Sequence, residues 1–207
     1  MKLLLFFQDV LIGASLLLLG AIPVAVEVFR MGFEWRSTLY ALSFAAVFAV
    51  MSVRPLADIT GWLWIRRLVI LRKGFGIFSA SIIIGFMIDA LIAPQSTYFV
   101  TLFSMKFFSI DHYAVFAHLG DISGLILLLT SNAFSQRILK QNWKRIQRLS
   151  YVYFYAGGIY ESFALQSSFA LYAILLVTNL TVLAWAVKIW RKNDSRAVPG
   201  RIASYSR

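Results

Sequence analysis

The stretch that decides the fold is Leu129–Ser162, which reads LTSNAFSQRILKQNWKRIQRLSYVYFYAGGIYES. Its first residues end an apolar run, its centre is basic, and from Leu149 the chain becomes apolar again. The central part carries five cations: Arg137, Lys140, Lys144, Arg145 and Arg148. Lysine and arginine collect in the cytoplasmic loops of membrane proteins. We therefore interpret the stretch as a cytoplasmic loop between two membrane-spanning helices.

The composition of the whole chain is typical of an integral membrane protein. Of its 207 residues 60% are hydrophobic and only 14% are charged, and the mean hydropathy is +0.75. A helix needs about 20 apolar residues to cross a hydrocarbon core of about 30 Å. The apolar runs predict an all-α six-helix membrane bundle within a domain at 1–193, followed by a polar cytoplasmic tail at 194–207. The six predicted spans cover 3–26, 37–53, 74–93, 113–130, 149–165 and 167–190.

The net charge of +11 is distributed asymmetrically along the chain. If the N-terminus lies inside, 17 of the 20 lysines and arginines fall in cytoplasmic segments, the exceptions being Arg30, Arg36 and Lys106. This pattern predicts that both termini are cytoplasmic. Contact with anionic lipid headgroups accounts for the charge, and a nucleic-acid partner is not expected. The absence of cysteine excludes thiol catalysis and iron–sulfur clusters.

The opening stretch also carries a spaced motif. A Thr-Ser pair ends the first apolar run, Q-R-x-L-x-x-x-W follows in the loop, and a tyrosine begins the next run; these residues are Thr130, Ser131, Gln136, Arg137, Leu139, Trp143 and Tyr151. The motif resembles the ferric-reductase-like transmembrane domain family, in particular its MsrQ/YedZ-like members, the haem-binding subunits of periplasmic methionine sulfoxide reductase systems. Arg72, Lys73 and Gly76 match a second, shorter motif of that family. The resemblance implies six helices in a bacterial inner membrane, with b-type haem held between histidines.

The histidines that the resemblance implies are absent. The three positions that would carry haem ligands hold Phe86, Gln147 and Tyr160. Because a phenylalanine ring has no donor atom and neutral imidazole is the usual ligand, we expect no haem b. The aromatic rings of Phe86 and Tyr160 are expected to fill a former cofactor cavity. No other cofactor is expected, although flavin, quinone or a bound lipid stays open, as does a haem between Tyr160 and His118.

Polar residues inside the predicted spans are the remaining candidates for a site. His118 and Asp121 are three residues apart and therefore share a helix face. The pair is interpreted either as a hydrogen-bonded packing element or as a dyad that handles protons or binds a ligand. The basic loop sets topology, or alternatively holds a flavin phosphate. No metal site is predicted. Further acidic residues in the spans are Asp9, Asp89 and Glu161.

No catalytic motif is present in the sequence, so we do not expect an enzyme. The leading hypothesis is a haem-less accessory subunit that packs against other integral membrane subunits of an electron-transfer complex. The first alternative is a redox subunit that uses flavin, quinone or an atypical haem site. A transporter built around His118 and Asp121 is the second alternative.

Overall fold

A computed structural model describes residues 1–29, 33–92, 100 and 113–197 of the chain, and their regular structure is entirely helical. A short 3₁₀ turn, Val69–Leu71, joins two of the α-helices. The nine helices of the described part are α1 Lys2–Phe29, α2 Phe33–Thr60, α3 Leu63–Leu68, α4 Arg72–Ile92, α5 Ala114–Thr130, α6 Ala133–Leu139, α7 Gln141–Ile146, α8 Leu149–Phe163 and α9 Ser168–Ala197. The structure thus confirms the all-α prediction for the residues that it describes. The predicted loop at 94–112, which includes Lys106 and His112, lies outside them except for residue 100, as do Arg30 and residues 198–207.

Among the described residues, four segments are long and apolar enough to cross a membrane. They are Lys2–Val28, Glu34–Thr60, Leu63–Ile92 and Ser168–Asp194, each of 27 to 30 residues. This confirms the membrane-helix prediction in its coarse form. Helices α5 and α8 lie at the fourth and fifth predicted spans but have only 17 and 15 residues. That these two also cross the membrane, and that the termini are cytoplasmic, stays a prediction.

The end of α2 corrects one expectation. Pro55 was expected to end the second span, but α2 passes through it and ends at Thr60. A proline removes only one backbone donor and its φ is compatible with a helix. The end comes instead at Gly61, whose φ of +70° is a conformation that glycine adopts without strain. The amide of Gly61 donates to the carbonyl of Ala57 at 3.1 Å.

Two further boundaries differ from the predicted ones. The sequence of 61–73, GWLWIRRLVILRK, predicts a separate interfacial helix, but in the structure the short helix α3 and the 3₁₀ turn lead directly into α4, which begins at Arg72. Trp62 and Trp64 of this segment are exposed, whereas Ile65 is buried. The predicted domain boundary at 193 falls inside α9, which continues to Ala197. Polar composition did not end that helix, because Lys, Arg and Asp are tolerated in an exposed helical turn.

The packing order of the helices places α2 and α4 at the centre. α4 packs against α1, α2 and α5, whereas α9 packs against α2 and α8, so α1 and α9 lie at the periphery. The main hydrophobic core joins α2, α8 and α9, and Phe44 stacks on Phe154 there with ring centroids 5.3 Å apart. A second core joins α1 and α4 through Ile22, Val26, Ile82 and Phe86.

The C-terminal part of α9 is tied to the C-terminal end of α2. The guanidinium of Arg191 donates to the carbonyl oxygens of Asp58 and Ile59, each at 3.1 Å. The last carbonyls of a helix lack partners within it, and a cation nearby also interacts favourably with the helix dipole. This contact places residues 58 and 191 at the same end of the molecule, the end that also carries the basic loop of α6 and α7.

Candidate functional site

The three positions that the resemblance predicts as haem-ligand positions lie in three different environments. Phe86 is 6% exposed and belongs to the core shared by α1 and α4. Its ring stacks on that of Tyr40, with centroids 4.7 Å apart and an angle of 19° between the planes. The ring of Phe86 therefore contributes to the packing of α1, α2 and α4.

Tyr160 lines a cavity of about 260 Å³ between α2, α5 and α8. The wall of the same cavity includes both residues of the predicted dyad, His118 and Asp121. The structure therefore brings together three residues singled out from the sequence, and Tyr160 forms one wall of an open space.

Sequence reasoning missed part of this small cavity. Glu161, which was noted only as a polar residue of the fifth span, is 6% exposed and lies in the wall next to Tyr160. Tyr40 of α2 lines the same space and had not been singled out. No spacing signal connects Tyr40 with residues 118–161, because the contact depends on how α2 packs against α5 and α8. Together, two carboxyl groups, an imidazole and three phenols (Tyr40, Tyr153 and Tyr160) line this space.

Gln147 lies in the wall of a second cavity, of about 640 Å³, at the basic end of the molecule. Its side-chain amide reaches the hydroxyl of Thr130 at 3.5 Å, and the indole of Trp143 donates to the carbonyl of Thr130 at 2.9 Å. Two residues of the sequence motif, Thr130 and Trp143, are thus joined directly. Their role in this structure is to hold the basic loop against the end of α5.

Tyr153 separates the two cavities and, with Val47, belongs to the walls of both. Its hydroxyl makes a hydrogen bond of 2.8 Å with Ser79 of α4 and lies 3.5 Å from Ser43 of α2. The Ser43 hydroxyl makes a further bond of 2.9 Å with that of Ser79. All three side chains are buried, so this polar contact crosses the centre of the bundle between the levels of Gln147 and Tyr160.

The remaining acidic residues noted in the sequence lie elsewhere. Asp89 forms an ion pair with Arg36 across 3.9 Å, which links α4 to α2. Asp9 is exposed on the outer surface of α1. Neither residue lines one of the two cavities.

The residues present do not fit a b-type haem. Phe86 offers no donor atom and is packed against Tyr40. The amide of Gln147 is directed to Thr130. His118 and Tyr160 do share a cavity, but its volume of about 260 Å³ lies below the roughly 300–1,000 Å³ that is usual for drug-sized ligands. Within the described residues, no group of three or more His, Cys, Asp or Glu side chains is arranged to hold a metal ion.

Comparisons with protein-family models and with solved structures do not identify a family for this chain. No protein-family model matches this chain, and no solved structure matches it.

Proposed function

We propose that this protein is a non-catalytic, haem-less subunit of a membrane complex, of the ferric-reductase-like type, in a bacterial inner membrane with both termini in the cytoplasm. The non-catalytic part of the proposal is supported by the side chains at the former ligand positions. Phe86 is a packing residue and Gln147 holds the loop to α5. Neither is arranged to carry an electron-transfer cofactor.

The observation that carries the subunit assignment is Asn179 on α9. This helix buries one face, through Ala170, Ala173 and Val177, against its neighbours. Asn179 lies on the opposite, exposed face, between Leu175 and Val182, which are 50% and 59% exposed. At 1.5 Å per residue it stands about 16 Å from the start of the helix, near the middle of the candidate span.

An exposed amide at that depth would face lipid hydrocarbon in an isolated protein. Asparagine side chains in membrane helices instead form hydrogen bonds across helix interfaces, which contribute about 1–2 kcal/mol in model peptides. We therefore expect a helix of another subunit to cover this face of α9 and to bond with Asn179 through a polar side chain. The resemblance to a redox family favours an electron-transfer complex as the assembly.

The test is the assembly state of the Asn179→Leu variant. Complexes extracted from native membranes in a mild detergent would be analysed by native mass spectrometry. We expect the wild-type chain in a stoichiometric complex and roughly a tenfold weaker association for Asn179→Leu, because the interhelical hydrogen bond is lost. Trp185→Leu, which changes an exposed apolar side chain about 120° around the same helix from Asn179, is the control and should keep the partner. A wild-type chain that is monomeric, with no stoichiometric partner, contradicts the proposal.

A redox subunit is the second candidate, because the cavity at Gln147 has the volume of a ligand pocket. The absorption spectrum of protein extracted from native membranes, before and after dithionite, separates the two candidates. A Soret band with reduced α and β peaks, or a flavin band that bleaches, supports the redox subunit. A spectrum without a chromophore in either state favours the accessory subunit.

A further inference from the structure

The larger cavity concentrates positive charge from separate parts of the chain. Its wall includes five basic residues contributed by α2, α4, α7 and the turn before α8: Arg54, Arg72, Lys73, Lys144 and Arg148. Its described wall contains no aspartate or glutamate. The packing of four elements therefore places basic residues that are far apart in the sequence around the larger cavity.

Such an arrangement is unfavourable unless an anion compensates it. Like charges repel, and the repulsion is screened less in a partly enclosed space than on an open surface. The Nε atom of Arg72 is buried and has no hydrogen-bond partner within the described part of the chain. An unsatisfied buried donor is destabilising, and more so when it belongs to a charged group. Arg72 thus points to an acceptor supplied from outside the chain.

One part of the remaining wall is aliphatic. Val47, Val50, Ile77 and Leu127 lie on the side of the cavity that continues towards the bundle interior, where Val47 and Tyr153 also border the smaller cavity. The volume of about 640 Å³ suits a ligand with both a polar and an apolar part. A ligand that satisfies both walls is an anionic amphiphile.

We propose that this cavity binds one anionic phospholipid, with its phosphate among Arg54, Arg72 and Arg148 and an acyl chain along the aliphatic wall. Guanidinium groups bind phosphate oxygens through paired, charge-assisted hydrogen bonds. Basic pockets between membrane helices at the cytoplasmic surface recognise the headgroups of anionic lipids. The site differs from general attraction of a basic surface to lipid, because it requires a particular cavity. It does not depend on the protein being an accessory subunit.

The test compares lipid binding at this cavity with binding elsewhere on the basic surface. Delipidated protein would be titrated with phosphatidylglycerol or with phosphatidylcholine and analysed by native mass spectrometry. We expect one phosphatidylglycerol to be retained at least tenfold more strongly than phosphatidylcholine. Arg54→Gln/Arg72→Gln should remove this preference. The control Arg66→Gln/Arg67→Gln, which deletes the same charge from exposed residues of α3 outside the cavity wall, should leave it unchanged.

A second variant tests the cavity without changing its charge. Gly76 lies in the wall, and a Cβ atom added there meets no atom within 4 Å, so Gly76→Leu extends into the space. We expect it to reduce phosphatidylglycerol retention at least tenfold. Equal retention of both lipids, an equal loss in the α3 control, or unchanged binding in Gly76→Leu overturns the proposal. Displacement of the lipid by flavin mononucleotide, added as a third probe, would identify the site as one for a nucleotide phosphate instead.

Discussion

At the scale of single residues, the interior polar groups show why a chain of this composition can adopt one arrangement. Apolar helices in lipid gain little specificity from the hydrophobic effect, since lipid tails are as apolar as leucine. Hydrogen bonds between helices then select the partners and their register. Tyr153 joins α8 to α2 and α4 through Ser43 and Ser79, and Gly124 of α5 leaves room for its ring.

Tyr153→Phe tests this role. Removing the hydroxyl deletes the 2.8 Å bond to Ser79, while Ser43 and Ser79 stay bonded to each other. We expect a loss of about 1 kcal/mol in the free energy of unfolding, in the range of a single intramolecular hydrogen bond. Thermal unfolding in one detergent provides the measurement. The control is Tyr155→Phe, which removes a hydroxyl that lies 3.0 Å from the Thr178 hydroxyl in an exposed position. This control should lower the melting temperature less than Tyr153→Phe does. Equal effects of the two variants would argue against a central role for Tyr153.

At the scale of elements, α8 is the helix whose glycines allow the closest packing. A Cβ atom placed on Gly120 of α5 would lie 3.7 Å from the backbone of Gly157. The other face of α8 is tighter, since a Cβ atom on Gly158 would lie 2.7 Å from Ile174 and 2.9 Å from Phe44. The adjacent glycines Gly157 and Gly158 thus differ in the space available for a side chain. Small residues at helix interfaces permit helices to approach each other closely.

The two glycines form a matched pair of variants. Gly158→Ala should lower the free energy of unfolding by about 1–3 kcal/mol, because the side chains of Ile174 and Phe44 must shift away from the added methyl group. Gly157→Ala meets no atom within 4 Å. It should be neutral or stabilising by up to about 1 kcal/mol, because alanine has the higher helix propensity. The free energy of unfolding of both variants would be measured in the same detergent. If Gly158→Ala leaves it unchanged, α8 is less tightly packed than the structure indicates.

At the scale of the whole molecule, the fold gathers the basic residues at one end. The basic loop of α6 and α7, Arg72 at the start of α4 and Arg191 near the end of α9 all lie there, and Arg191 closes the end of α2. The larger cavity opens among these cations, and the polar smaller cavity lies beyond Tyr153. One basic end and a polar interior are what an oriented membrane protein with an internal site requires.

The predicted orientation can be measured directly, because the natural chain contains no cysteine. Single cysteines would be introduced as Glu34→Cys, at the start of α2, and Asn193→Cys, in the last turns of α9; both positions are exposed. With a membrane-impermeant maleimide we expect Glu34→Cys to react in intact cells and Asn193→Cys only after permeabilisation, since basic segments stay in the cytoplasm. Cysteine-free wild type gives the background. The reverse labelling pattern would contradict the cytoplasmic termini and place the basic cavity at the other surface.

The sequence alone determined that the chain is helical and that it contains membrane-spanning segments, because both properties follow from local composition and length. Each of the four candidate membrane helices among the described residues overlaps a predicted span, although the second span and the domain were predicted to end too early, at 53 and 193. Only the tertiary structure decided which residues share a cavity. Tyr40 joins His118, Asp121 and Tyr160, and Arg54 joins Arg72 and Arg148, across gaps in the sequence that carry no periodic signal. Such neighbours depend on how helices rotate and pack against one another, which local sequence patterns do not encode.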